Sequence, residues 1–285
     1  PRTYYITHSL GPLMRATGAT PKTVSAHCVS GPMSKTAATA SHVSDRVGII
    51  TMTNDDGSIY KFTEKPKNPD STKASMGIYI FSKECLAKYL IQDAEDENSS
   101  NDFGKNIIPA MLANGEGLYA YSFSGYWKDV GTIASLWEAN MDLLGAHPTL
   151  NLADESWRIY SRHTANAPQY VGENAVIDNS SITEGCEIYG TVRNSVIGSG
   201  VIVEKGATVL DSVILDGVTI KSGAFVNYSI IDSGTTVGEN CKVGADKQNA
   251  KDVCVIGADI CVPANTVVAD GAMIAKEADL NKEGN

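Results

Sequence analysis

From residue 171 onward, aliphatic residues return every six positions along the chain. Ile197, Val203, Val209 and Leu215 fall six apart, as do Ile214, Ile220 and Val226, then Ile231, Val237 and Val243, then Ile256, Val262 and Val268. Glycine or an acidic residue often follows the aliphatic, as in Val171-Gly172, Ile177-Asp178, Val203-Glu204 and Ile256-Gly257. A small residue often stands four past it, as at Ala175, Ser181 and Ala207. Six residues per flat side and three sides per turn predict a parallel β-helix with its aliphatics stacked inside. Breaks of phase, such as Leu215 to Ile220, mark corners or inserted loops. An ordinary β-sandwich would instead alternate at period two between irregular turns.

Residues 47–145 carry a different pattern. Val47–Met52 reads as a short strand, Asn54-Asp55-Asp56-Gly57 as a tight turn, and Ile59–Glu64 as a half-buried alternating strand. Lys65-Pro66-Lys67-Asn68-Pro69 ends it, because proline has no N–H for the ladder. Met76–Phe81 is a continuous apolar run, the mark of a strand covered on both faces. Ser82 is placed to cap a helix with Leu86, Tyr89 and Leu90 on one face, and Asp102 another with Ile107, Ile108, Met111 and Leu112. Leu118–Phe123 alternates again. Thr132 then caps a helix with Ile133, Leu136, Trp137 and Leu144 inward, and Gly145 stops it. The helical spacing of Trp137 assigns it to the core rather than to a ligand platform.

The stretch Gly125-Tyr126-Trp127-Lys128-Asp129-Val130-Gly131-Thr132 joins the two patterns. It puts a carboxylate where a strand stops and a helix begins, the place where ligands bind in α/β sheets. By spacing alone the plainer reading, a strand-to-helix corner capped by Thr132, is favoured. The expected organisation is a partial, Rossmann-like α/β domain over 1–145 (with 1–46 divergent), a linker over 146–170, a β-helix over 171–275 and a tail over 276–285. Trp157, Ile159 and Tyr160 are expected to anchor the linker.

Composition narrows the function. Of 285 residues, 42% are hydrophobic, enough for a real core. The net charge of -10 disfavours a nucleic-acid partner. No apolar run of about 18 residues reads as a membrane span, and no signal-peptide pattern is evident. The six cysteines are scattered without a Cys-x-x-Cys, as reduced thiols of a cytoplasmic protein would be. His27-Cys28 has no partner base or ligand at a usable spacing. No histidine follows His163, which removes the general base expected of a hexapeptide acyltransferase.

Four blocks go further. They are Phe62–Pro69 (FTEKPKNP), Ala74–Phe81 (ASMGIYIF), Glu97–Lys105 (ENSSNDFGK) and Tyr126–Thr132 (YWKDVGT). In this order, and followed by a β-helix, they resemble the bacterial glucose-1-phosphate adenylyltransferase family over roughly residues 47–275. The resemblance implies a nucleotidyltransferase domain followed by a left-handed parallel β-helix of hexapeptide repeats. It implies an enzyme of glycogen synthesis that makes ADP-glucose and pyrophosphate from ATP and glucose 1-phosphate. It assigns Asp129 to a Mg²⁺ ion and Lys65 to the sugar phosphate. Glu64 falls to the glucose hydroxyls, and Ser75 and the backbone near Gly48 to the wall of the sugar pocket. Family analogy further implies a homotetramer, or a hetero-oligomer with a related subunit, under allosteric control.

Two family features have no counterpart here. One is a Gly-rich loop close to Gly-Gly-x-Gly-x-Arg-Leu. The other is a Ser-Gly-Asp segment with the second metal aspartate. Residues 1–46 match the family only around Ala16–Thr20. The expectation is therefore an N-terminally truncated chain with little or no activity alone. The competing expectations are a non-catalytic regulatory subunit of the same enzyme and an assembly module built on the β-helix.

Overall fold

The computed structural model describes residues 26–30, 49–64, 68, 73–152, 154–157 and 165–280. They form two compact units, Pro1–Gly125 and Tyr126–Asn285.

The first unit is built on a five-stranded mixed sheet. Its strands are β1 (Ala26–Ser30), β2 (Ile49–Thr53), β3 (Ile59–Glu64), β4 (Lys73–Tyr79) and β5 (Ala120–Ser122), in the spatial order β3-β2-β4-β1-β5. β1 and β5 run parallel, and the other pairs are antiparallel. The Asp-Gly turn forms as its sequence predicts, with Gly57 at φ +84°. Helix α1 (Lys83–Glu95), a π turn at Phe103–Ile107 and helix α2 (Ile108–Ala113) complete the unit.

Tyr89, Ile107 and Met111 are its buried centre, ringed by Phe81, Cys85, Phe103 and Leu118. Asp102 caps as expected, its carboxylate accepting from the Gly104 and Lys105 amides at 2.8 and 3.0 Å. Ser82 holds the N-cap position of α1, but its hydroxyl makes no cap bond. Leu90 is 41% exposed: one face of α1 can bury only what lies in line with Cys85 and Tyr89, and Leu90 falls off that line.

The second unit is a six-turn parallel β-helix preceded by helix α3 (Ile133–Met141). Three six-stranded parallel sheets are its walls. Three aliphatic columns fill it. Ile188, Val203, Ile220, Val237 and Val262 stack on one wall, and Val192, Val209, Val226, Val243 and Val268 on the next. Ile197, Ile214, Ile231, Ile256 and Ile274 stack on the third. Most are wholly buried.

The strict six-residue period needs one correction. Val203 to Val209 is six residues, Val209 to Ile214 five and Ile214 to Ile220 six, which gives a 17-residue turn. Ile214 therefore takes the inward place, and Leu215 is left 37% exposed at the corner. The short side closes because its corner residue adopts a left-handed conformation, at Asn179, Asn194, Asp211 and Tyr228 (φ 41–47°). Asn and Asp tolerate that conformation best after glycine. Their side chains also join between turns, Asn179 to Asn194 at 2.8 Å and Asn194 to Asp211. Just inside runs a buried serine ladder, Ser195, Ser212 and Ser229. Each hydroxyl donates to the carbonyl two residues back, and the first two accept the amide of the serine one turn on. These interior polar groups are thus satisfied without water.

The unit boundary differs from the expected grouping, which puts α3 with the α/β domain. Trp137 explains the difference. It is 3% exposed and packs with Val213, Ile230 and Val253 of the β-helix, while its Nε1 donates to the Asp211 carbonyl at 2.7 Å. Leu136 is 38% exposed because this short helix turns only one side to the β-helix. α3 also ends at Met141, before Leu144. Helix α4 (Glu277–Leu280) follows the last turn, with Leu280 packed against the aliphatic core. No helix among the described residues is long and apolar enough to cross a membrane.

Candidate active site

Asp129 lies in the second unit, in the turn that feeds α3. Its Oδ1 accepts the Gly131 amide at 3.1 Å, and Oδ2 carries no hydrogen bond from the described residues. Exposed Trp127 and Val130 flank it. Thr132 and Ser135 form a reciprocal capping box: Thr132 Oγ1 accepts the Ser135 amide and Ser135 Oγ accepts the Thr132 amide, both at 3.1 Å. The corner reading and the carboxylate reading are therefore compatible, since Thr132 caps the helix while Asp129 stays accessible.

The turn is braced from its other side. Tyr126 donates to Asp142 Oδ2 at 2.9 Å, and Lys128 bridges Asp142 at 3.1 Å and Glu138 at 3.0 Å. Lys128 is thus committed to structure rather than presented to a ligand. The sequence reading did not find this brace. Its only signal was the helical spacing of Glu138 and Asp142, four residues apart on one face.

Burial first, and then the Asp142 carboxylate, push the Tyr126 phenol up to about 12. An unfolded tyrosine ionises near ~10. Between those values the unfolded chain holds fewer protons than the folded one, so stability falls as pH rises through that window. Tyr189 and Tyr228 shift in the same direction. We expect Tyr126→Phe to flatten part of this alkaline decline in denaturant midpoints taken between about pH 9 and about pH 11.5. An unchanged slope would contradict the brace.

The other predicted residues belong to the first unit. Gly48 and Lys65 lie outside the described residues, as do Ile159 and Tyr160 of the linker. Glu64 ends β3, where it pairs with Ile49, and Ile50 pairs with Ala74 on the far side of β2. Ser75 follows Ala74 and pairs with Cys28 on β1. Glu64 and Ser75 thus occupy neighbouring registers of the sheet with one strand between them. The Ser75 hydroxyl is half-buried, accepts the Gly77 amide at 3.2 Å and contacts the Tyr79 hydroxyl at 3.2 Å. Gly77 has φ +70° inside β4, a bulge that re-aims the strand beside Ser75.

The arrangement fits a hard cation in part. Asp129 offers one unengaged carboxylate oxygen, the donor type that Mg²⁺ takes. Among the described residues no group of three or more acidic, His or Cys side chains could hold a metal by itself.

Comparison with known proteins agrees with this architecture. A nucleotidyl transferase family profile matches residues 21–145, and a "GlmU-like, C-terminal hexapeptide" profile matches residues 166–262. A glucose-1-phosphate adenylyltransferase of Clostridium botulinum (strain Alaska E43 / Type E3) is 59% identical over 160 residues, 56% of this chain and 41% of that protein. Over a little more than half its length the chain is similar to glucose-1-phosphate adenylyltransferases. The protein of that name in Clostridium novyi (strain NT) is 56% identical over 152 residues, 53% of this chain and 40% of its own. That of Acetivibrio thermocellus is 51% identical over 162 residues, 57% and 38% of the two chains. The chain spans about two fifths of the length of the curated relatives it matches. Its architecture is a nucleotidyltransferase region followed by a parallel β-solenoid of the hexapeptide family.

Proposed function

We propose that this chain is part of an enzyme that transfers the adenylyl group of ATP to glucose 1-phosphate, giving ADP-glucose and pyrophosphate in glycogen biosynthesis. The observation that carries the reading is the Asp129 turn: an exposed carboxylate with one oxygen unengaged, in a block (YWKDVGT) that resembles the glucose-1-phosphate adenylyltransferase family.

In this reading a phosphate oxygen of glucose 1-phosphate attacks the α-phosphorus of ATP in line. The bond from that phosphorus to the bridging oxygen of pyrophosphate breaks. The attacking oxygen is already an anion, so no general base is needed, and positioning and charge neutralisation dominate. Lys65 neutralises the sugar phosphate. Glu64 accepts hydrogen bonds from glucose hydroxyls, and Ser75 with the Gly48 backbone lines the sugar pocket. Asp129 would hold Mg²⁺, which when bound supplies charge neutralisation at the phosphates. The assembled enzyme is a cytoplasmic homotetramer, or a hetero-oligomer with a related subunit. This chain alone has little or no turnover, because its sequence lacks the family's Gly-rich phosphate loop and second aspartate.

The test is Mg²⁺-dependent release of pyrophosphate from ATP and glucose 1-phosphate, with this chain beside one extended to the relatives' length. Turnover by the longer chain alone supports the proposal. If this chain turns over like an intact enzyme, the reading of the missing loop is wrong. If the longer chain is also silent, the regulatory-subunit reading replaces this one, and mixing with a catalytic partner should alter that partner's effector response.

A further inference from the structure

One turn of the β-helix is longer than its neighbours. Successive turns elsewhere repeat at 15 to 18 residues, but Val237 to Val262 spans 25. The extra residues form an ordered loop over 245–253. Asp246 nucleates it by accepting the amides of Gln248, Asn249 and Ala250 at 2.8–2.9 Å. Its exit is tied down where the Lys251 amide donates to Asp270 at 2.7 Å. The loop places the Lys247 ammonium 4.3 Å from the centre of the Trp137 ring, and its last residue, Val253, packs in the same cluster.

The indole has a second close neighbour in Tyr228. At the corner position that Asn179, Asn194 and Asp211 occupy on other turns stands Tyr228, in the left-handed conformation at φ 47°. A bulky residue is disfavoured there. The return for that strain is a ring edge-on to Trp137, with centroids 4.9 Å apart at 78°. With Nε1 on the Asp211 carbonyl, the indole makes three specific contacts.

Trp137 sits in a helix with no loose joint between it and Asp129. The capping box fixes the helix start, Asp129 Oδ1 is held by Gly131, and Tyr126 and Lys128 tie the turn to Asp142 at the helix end.

We propose that the 245–253 loop is a clamp that positions Asp129, with Lys247 and Trp137 as its positioning residues. This rests on the reading of Asp129 as a metal ligand. The β-helix would then set the aim of a carboxylate that sequence similarity assigns to the nucleotidyltransferase region.

The test titrates Mn²⁺ into this chain and follows paramagnetic broadening of the Gly131 amide resonance. Variants are Asp129→Asn, Lys247→Met, which keeps an apolar stem, and Lys247→Arg, which keeps the cation. Asp129→Asn is expected to remove the broadening. Lys247→Met is expected to raise the half-saturating Mn²⁺ about two- to fivefold, the scale of one cation–π contact, with Lys247→Arg near wild type. If Asp129→Asn leaves the broadening intact, the metal-ligand reading fails. If Asp129→Asn removes it but Lys247→Met does not shift half-saturation, the clamp is overturned while the ligand reading stands. An equal shift in Lys247→Met and Lys247→Arg also overturns the clamp, since loop packing rather than the cation would then act.

Discussion

Asp129→Asn, in a chain extended to the relatives' length, is expected to lower Mg²⁺-dependent adenylyl transfer at least about a hundredfold. Residues one shell removed from a metal already cost ~10–100-fold when changed, and a direct ligand should cost no less. The substitution is nearly isosteric. Its amide oxygen can still accept from Gly131 as Oδ1 does, so the turn and the capping box should survive. What is lost is the negative charge and one hard oxygen at Oδ2. The loss should fall on kcat and on the Mg²⁺ requirement rather than on thermal stability. Wild-type turnover in the variant would remove Asp129 from the mechanism. Loss of turnover with a collapsed melting transition would instead make it a structural residue.

The second large effect concerns the β-helix. Ile214 is wholly buried, stacked between Ile197 and Ile231 in the column of isoleucines. Ile214→Ala removes buried methylenes and leaves a cavity that a stacked wall cannot close, at a cost of ~2–5 kcal/mol. The neighbouring Leu215→Ala, at a corner open to solvent, should cost about 1 kcal/mol or less. Denaturant unfolding of the pair measures the difference directly. Equal costs would contradict the five-residue side, because a strict six-residue period puts Leu215 in the stack.

That pair also shows what the sequence could reveal. The inner columns were legible because most aliphatic steps are six residues and glycine or an acidic residue often follows. The shortened side was not, because one residue fewer looks like noise in a hydrophobic pattern. Its signal was polar, the recurrence of Asn179, Asn194 and Asp211, which stack side chain to side chain at the corner. The serine ladder was hidden for the same reason: Ser195, Ser212 and Ser229 look like surface residues until their hydroxyls are seen to bridge consecutive turns. Trp137 was legible as core from helical spacing, but not its partner, since nothing local tells a helix face which surface it will meet. For the proposed site, the family resemblance points to Gly48, Glu64, Lys65, Ser75 and Asp129, and the structure adds the Tyr126–Lys128–Asp142 brace and the Lys247 contact. Both depend on residues brought together by folding, at separations that no short motif spans.

The measurement that bears most directly on the functional reading is calorimetric titration of this chain with glucose 1-phosphate, beside Glu64→Ala. The account predicts saturable binding at millimolar concentration or tighter, weakened in the variant, because the residues assigned to the sugar phosphate all lie within this chain. No saturable binding, or binding that Glu64→Ala leaves unchanged, would contradict it and leave the β-helix as an assembly module carrying relics of a catalytic sequence.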